Sequence, residues 1–185
     1  MAKKAITLHA GHNPKGKKAC GASDYIDESA QARIMRKKIQ AELKKLGVTA
    51  YNTTVNNGKD QNDILVRIVK KCNEKVRSFD VSLHFNAWMH APKDGKTKGI
   101  EALVYDENSD IAKVAAKICK QVSNATGLNN RGVKSRPDLY FLRKTNRPAM
   151  LIEICFVDDQ DDVKIYKANK DLIAKKIANI IAANV

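Results

Sequence analysis

The 185-residue sequence is poor in the features that mark several large classes of protein. It has nine Gly and four Pro, with no linker-like stretch rich in them, so we expect one domain over residues 1–185. No apolar run approaches the roughly 20 residues that cross a bilayer, which argues against a membrane span. The N-terminus also lacks an apolar secretory core, so the sequence predicts no signal peptide.

Cysteines are few and scattered. Cys20, Cys72, Cys119 and Cys155 show no CxxC spacing, which favours free thiols in a reducing compartment. Three of them, Cys72, Cys119 and Cys155, lie on apolar faces of predicted elements and are expected in the core.

Aromatic residues are scarce, with one Trp, five Tyr and four Phe, whereas basic residues are in excess. Thirty-four Lys and Arg against 20 Asp and Glu give a formal net charge of +14, which attracts polyanions. The basic residues are spread over the outward faces of predicted helices, and no nucleic-acid-binding module is recognisable. We therefore expect no nucleic-acid partner. Two explanations of the excess positive charge remain open: a basic surface that is simply solvated, and binding to an anionic matrix such as a cell wall.

Strand and helix patterns alternate along the chain, which is typical of an α/β fold. Apolar runs predict six strands, at residues 4–9, 48–52, 79–86, 100–105, 139–142 and 149–154. Amphipathic stripes predict four helices, at residues 28–46, after a cap at Asp60, at 109–124 and at 169–183. This alternation predicts a single domain with a mostly parallel, twisted sheet of about six strands and helices on both faces.

The candidate functional residues are polar side chains that lie at the ends of the apolar strands or within them. His12 follows the first strand, His84 is near the end of the third, and Glu153 is near the end of the last. Glu28 falls in the first turn of the helix after the first strand. The ligand crevice of an open α/β sheet lies beyond the carboxyl ends of its strands, so we expect these four at one rim. Two histidines and a carboxylate with one open position are the composition of a catalytic zinc site.

Each of these residues also has an ordinary structural explanation. A single His at a strand end is more often hydrogen-bonded than metal-bound. Glu28 is favoured by the helix dipole, and Asp24 and Asp27 compete with it as the N-cap and as the ligand. Glu153 resists such an explanation, because an ionised carboxylate in an apolar strand is costly unless it is paired or used.

Residues 11–18 nearly match the phosphate-binding pattern GxxxxGK[ST], but Lys18 replaces the hydroxyl that binds magnesium. The residues that follow do not begin the helix whose N-terminus would hold the phosphate. Both departures argue against a nucleotide site.

Four segments together resemble the zinc-dependent N-acetylmuramoyl-L-alanine amidases of the third amidase family, most of all the catalytic domains of clostridial phage endolysins. The segments are Ala10-Gly11-His12, Glu28 at the start of the first long helix, Ser82-Leu83-His84-Phe85-Asn86-Ala87, and Leu151-Ile152-Glu153 with Phe156. The resemblance implies one Zn²⁺ ion held by His12, Glu28 and His84, with Glu153 as the catalytic carboxylate. His9 stands where the family has Asp, which makes His9 a competitor for a metal-binding or supporting role.

The same resemblance implies an enzyme that cleaves the amide bond between N-acetylmuramic acid and L-alanine and so lyses the bacterial cell wall, as an endolysin or autolysin. Peptidoglycan is then the expected partner, and anionic wall teichoic acids are a further candidate. We expect a protein made in the bacterial cytoplasm without a signal peptide that acts at the wall after release.

Other interpretations stay open at this point. A zinc peptidase that cuts the stem peptide would use the same metal chemistry, and a non-catalytic wall-binding module would use the basic surface alone. Cys20 is conceivable as a ligand or nucleophile. Further polar residues near the expected rim, with no role assigned, are Asn13, Asn86, Arg131 and Arg143.

Overall fold

One six-stranded sheet organises the chain in the computed structural model, which describes residues 4–185. The strands are β1 (Ala5–Ala10), β2 (Thr49–Asn52), β3 (Asp80–Asn86), β4 (Ile100–Val104), β5 (Asn130–Ser135) and β6 (Ala149–Phe156). The helices are α1 (Glu28–Lys45), α2 (Gln61–Asn73), α3 (Asp110–Thr126), α4 (Tyr140–Lys144) and α5 (Gln160–Ala182).

The sheet is mostly parallel, with strand order β2-β1-β3-β6-β4-β5. Strand β1 pairs in parallel with β2 and β3, and β3 pairs in parallel with β6. Strand β4 runs antiparallel to β6 and parallel to β5. The predicted α/β architecture is therefore confirmed, and the carboxyl ends of β1, β3 and β6 lie side by side at one edge.

Helices cover both faces of the sheet. The larger core lies under α1, α3 and α5, where Met35, Ile118 and Ile177 are fully buried. The smaller core lies under α2 and α4 and includes Ile64 and Phe141. Burial on both faces explains why the central strands read as nearly continuous apolar runs.

Helix α2 begins at the predicted cap, Asp60, and helix α1 begins at Asp27, one of its two candidate caps. Asp27 accepts a hydrogen bond from the backbone N–H of Ala30 at 2.8 Å, and α1 ends two residues before Gly47, whose φ is +74°. Asp60 accepts from the N–H of Asp63 at 2.9 Å and caps α2.

Two segments differ from the sequence-based prediction. The strand predicted at residues 139–142 is wrong, because these residues enter the short helix α4, which buries Phe141 and Leu142 against α2 and the sheet. A four-residue apolar run is too short for periodicity to separate a strand from one turn of helix. Strand β5 was not predicted, since its sequence, Asn-Arg-Gly-Val-Lys-Ser, is polar and pairs only through β4 at the sheet edge.

The last helix also begins earlier than predicted. Asp159 caps it by accepting from the N–H of Asp162 at 2.9 Å, and Asn169, the predicted start, lies at a kink inside it with φ of −122°. Cys72, Cys119 and Cys155 are buried, as predicted, and Cys20 is partly exposed. Within residues 4–185, no helix combines the length and the apolar character needed to cross a membrane.

Candidate metal centre

Three of the predicted site residues meet at the carboxyl edge of the sheet. His12 lies just after β1, His84 lies on β3, and Glu28 is the first residue of α1. One potential ligand atom from each of these side chains lies within 4.8 Å of the other two. The group contains two imidazole nitrogens and one carboxylate oxygen, which is the donor set of a catalytic zinc site.

Glu28 is the centre of this group. Its Oε1 atom lies 3.2 Å from Nε2 of His12 and 2.9 Å from Nδ1 of His84, and its Oε2 atom accepts from the N–H of Ala22 at 2.9 Å. Burial alone raises the pKa of Glu28, but the hydrogen bonds and charges of the two histidines outweigh it and hold the pKa well below its usual range. The carboxylate is therefore ionised and available as a ligand.

Gln61, the first residue of α2, orients His12. An amide oxygen can only accept, so Nδ1 of His12 donates to Oε1 of Gln61 at 3.2 Å and leaves Nε2 facing Glu28. Burial lowers the pKa of His12, yet contacts with Glu28 and Gln61 raise it overall. A metal ion at Nε2 of His12 competes with a proton for that atom, so metal binding is expected to weaken in acid.

Arg33 on α1 holds the loop that carries His12, whose φ of +62° is unusual for a residue with a side chain. The guanidinium donates to the carbonyl oxygens of His12 at 2.8 Å, Ser29 at 2.9 Å and Val55 at 3.2 Å. It also donates to Oδ1 of Asn56 at 2.9 Å. Nothing in the sequence pattern predicted this role, because the contacts join three separate segments.

Two glycines leave the space that the metal-centre side chains occupy. A Cβ atom on Gly11 would overlap the ring of His84, and one on Gly21 would overlap the carboxylate of Glu28. Gly21 also has a φ of +80°, which favours glycine. The Ala-Gly-His segment was part of the predicted motif, whereas Gly21 was not predicted to contact the site.

Glu153 lies on β6 directly beside His84, its partner in the parallel β3–β6 register. Its Oε2 atom is buried and makes no hydrogen bond to any residue in the described part of the chain. Burial raises the pKa of Glu153 well above its usual range, and the charges of Glu28 and Glu101 add to the effect. A carboxyl group with a raised pKa is a stronger base than usual, and its free oxygen can accept a proton from a nearby group.

The competing candidates lie outside the three-residue group. His9 is buried, packs edge-on against Phe141 with ring centroids 4.8 Å apart, and has its pKa lowered to about 3 by burial and by His84. Asp27 is used as the helix cap, and Asp24 contacts Nδ1 of His90 at 2.8 Å. Among residues 4–185, Cys20 is not part of a cluster able to hold a metal ion.

A cavity of about 250 Å³ opens beside the metal centre on the α2 and α4 face of the sheet. Its polar lining includes His12, His84 and Glu153. Its apolar walls are formed by Leu65, Leu139, Tyr140, Phe141 and Leu151. The candidate centre is thus open on one side to a molecule from outside.

The residues present fit a divalent metal ion of the zinc type. Three donor atoms of suitable chemistry converge, glycine at two positions keeps the space around them clear, and a carboxylate with an unpaired buried oxygen lies next to one of the histidines.

Comparison with known families gives a match over almost the whole chain. Residues 6–183 match the model of a family described as N-acetylmuramoyl-L-alanine amidase. The chain belongs to this family. Membership supports an enzyme that hydrolyses an amide bond of peptidoglycan.

Relatives of this amidase-family chain include proteins of Clostridium perfringens and of a bacteriophage. An uncharacterised protein of C. perfringens strain 13 is 36% identical over 179 residues, which cover 95% of this chain and 51% of the relative. The endolysin of Bacillus phage SPP1 is 27% identical over 179 residues, covering 91% of this chain and 60% of the endolysin. The chain therefore spans about half to three-fifths of the length of these relatives.

Solved structures share the fold. The catalytic domain of the CD27L endolysin, which targets Clostridia difficile, superposes with a TM-score of 0.83 at 23% identity and covers 97% of each chain. The catalytic domain of CwlV, an N-acetylmuramoyl-L-alanine amidase from Bacillus (Paenibacillus) polymyxa, gives a TM-score of 0.78 at 22% identity, covering 98% of this chain and 97% of that domain.

Proposed function

We propose that this chain is a zinc-dependent amidase that cleaves the bond between the lactyl group of N-acetylmuramic acid and the L-alanine of the stem peptide. The observation that carries the proposal is the meeting of His12, Glu28 and His84 beside Glu153, in a chain of the amidase family. Lysis of the cell wall after the protein leaves the cell that makes it, in the manner of an endolysin or autolysin, is part of the same proposal.

His12, Glu28 and His84 would hold the ion. A bound zinc supplies a Lewis acid that polarises an amide carbonyl and makes water acidic enough to attack near neutral pH. Arg33 and Gln61 keep His12 in position, and the cavity beside His84 receives the substrate amide.

Glu153 moves the proton. As general base its free Oε2 takes a proton from the attacking water, and as general acid it returns that proton to the amine of L-alanine as the amide bond breaks. Burial, which raises the pKa of Glu153, strengthens the carboxylate as the base in the first step and keeps the proton on it until the amine departs.

The test is a product analysis on purified peptidoglycan. We expect new N-terminal alanine and free muramic lactyl carboxyl groups in equal amounts, together with about one zinc per chain by elemental analysis. Protein stripped with a chelator should lose activity and recover it on addition of zinc.

Other results would favour the alternatives. A new N-terminus other than alanine would identify a peptidase that cuts the stem peptide. Binding to walls with no new ends and no transition metal would identify a wall-binding module without activity.

A further inference from the structure

The metal centre lies on one face of the sheet, and beyond Glu153 the next strand on that face is β4. Glu153 is the register partner of His84 on one side and of Glu101 on the other. Residues directly opposite each other on paired strands point to the same face, so these three side chains form a row across β3, β6 and β4. Neighbouring strands are about 4.8 Å apart, so β4 lies roughly 10 Å from β3.

The row ends in two cations from the edge strand β5. Nε of Arg131 donates to Oε2 of Glu101 at 2.6 Å, and Nζ of Lys134 donates to the same atom at 2.5 Å. Oε1 of Glu101 accepts from Nδ2 of Asn86 at 2.8 Å. Glu101 is only 5% exposed, whereas the side chains of Arg131 and Lys134 are 32% and 44% exposed. Both cations are therefore anchored at one end and open to solvent at the other.

Arg131 has unused hydrogen-bonding capacity. Its Cζ atom lies over the ring of Phe156, 5.0 Å from the centroid, within the range of a cation–π contact. Its two Nη atoms donate to no protein atom in residues 4–185. Such a fork matches the two oxygens of a carboxylate, and Lys134 adds a second positive charge beside it.

We propose that Arg131 and Lys134 form a subsite for a carboxylate group of the stem peptide, on the leaving side of the scissile amide. This proposal rests on the proposed function. The glycan strand of N-acetylated sugars is neutral where its lactyl group is amide-bonded, so the acidic groups of the substrate are on the peptide. Strand β5 lies about 10 Å from β6, and an extended peptide covers about 3.3–3.6 Å per residue. The subsite therefore receives an acidic group two or three residues beyond the bond that Glu153 cleaves.

A purely structural explanation makes a different prediction. If the two cations serve only to balance the charges of Glu101 and Glu153, removing them changes proton transfer and lowers kcat on every substrate alike. A carboxylate subsite instead acts mainly through KM and only on substrates that carry the carboxylate.

The test compares two soluble muramoyl peptides of one sequence, free of teichoic acid, one with its peptide carboxyl groups free and one with them converted to amides. We expect the wild-type protein to have a kcat/KM about tenfold higher for the free acid, mostly through KM, as a charge-assisted hydrogen bond to a partly exposed cation allows. In the double variant Arg131→Gln/Lys134→Gln this preference should vanish, because the KM of the free acid rises while the KM of the amide does not.

The matched control is Lys117→Gln/Lys120→Gln, which removes two exposed charges from α3 on the opposite face. It should keep the wild-type preference for the free acid. Arg131→Lys keeps the charge without the fork and should retain part of the preference, which provides a milder variant if the double variant folds poorly.

Equal cleavage of both peptides by the wild-type protein, or a double variant that keeps the preference for the free acid, would overturn the subsite. If only polymeric walls are cleaved, the same comparison applies to teichoic-acid-free walls before and after amidation of their carboxyl groups. Absence of amide cleavage on every substrate would instead overturn the proposed function.

Discussion

At the scale of single residues, the metal centre is arranged around Glu28. One carboxylate oxygen contacts both imidazoles, and the other is held by the N–H of Ala22. Because these contacts link α1, β3 and the loop after β1, the ligand positions are held by separate elements of the fold.

The roles of Glu153 and His84 can be separated by substitution. Glu153→Gln should keep the zinc and the fold but lower hydrolysis about 10²- to 10⁴-fold, because an amide cannot accept the proton. His84→Ala should lose the zinc itself. Elemental analysis and release of N-terminal alanine measure the two effects. Near-normal hydrolysis by Glu153→Gln, together with an inactive His9→Gln, would show that the roles are assigned to the wrong residues.

His9 gives a pH-dependent contribution to stability in the metal-free protein. Burial lowers its pKa to about 3 from the ordinary histidine value of 6.5. Below pH 6.5 the unfolded chain therefore binds a proton that the folded chain does not, and stability is lost as the pH falls, by up to about 1.4 kcal/mol per pH unit.

His9→Gln should remove this loss. Urea unfolding with a chelator present, between pH 4.5 and 8, should show a wild-type advantage that is largest at neutral pH and shrinks in acid. Parallel stability curves for the two proteins would contradict the buried neutral state of His9.

At the scale of secondary structure, the elements that carry the site are set by their ends. Glu28 is placed by the start of α1, and His12 is oriented by the first residue of α2. The N-terminus of α5 fixes the loop after β3, where Asp158 accepts from the N–H of Trp88 at 2.6 Å and Asp161 accepts from that of Gly95 at 2.8 Å. The N-terminal residues of these helices thus hold the positions of the loops around the metal centre.

Removing the cap of α1 should therefore affect both stability and metal binding. Asp27→Ala should cost about 0.5–2 kcal/mol of stability, because the N–H of Ala30 loses its partner. It should also weaken zinc affinity, since Glu28 is the next residue.

Asp60→Ala, which removes the cap of α2, is the comparison. It should cost a similar amount of stability. Zinc titration and thermal unfolding of both variants measure the two effects. Unchanged zinc affinity in Asp27→Ala would show that the start of α1 does not determine the position of Glu28.

At the scale of the whole molecule, the net charge of +14 is carried mainly by exposed side chains. Lys37, Lys44, Lys70 and Lys175 lie on the outward sides of α1, α2 and α5, away from the metal centre. A charge of this size acts over distances beyond direct contact and favours binding to anionic polymers. Anionic wall teichoic acids are the partner that we propose for this surface.

Binding to walls should then depend on salt. Pelleting with wall fragments and lysis should both weaken as salt rises to several hundred millimolar, because the Debye length falls from about 30 Å at 0.01 M to about 3 Å at 1 M. Hydrolysis of a small soluble muramoyl peptide should change much less. Wall binding that does not change with salt, or that persists after teichoic acids are removed, would show that the positive charge does not serve to bind teichoic acids.

The sequence by itself determined the α/β class, the cap at Asp60, the two candidate caps of α1 (Asp24 and Asp27), and the basic charge of the chain. These features depend on residue composition, on periodicity within one element or on contacts within one turn, all of which are local. Local information was too weak in two segments. The apolar run at residues 139–142 is short, and β5 is a polar edge strand, so the conformation of each depends on the elements that it packs against.

His12, Glu28, His84 and Glu153 were expected at one rim from the sequence, but only the tertiary structure decided the distances between them and which other residues contact them. Glu28 and His84 are 56 residues apart, and the row from His84 to Glu101 depends on an antiparallel pairing of β4 with β6 that no local pattern specifies. Arg33 was not predicted for the same reason. Such contacts arise from the packing of whole elements against one another, so their geometry is a property of the folded chain and not of any segment alone.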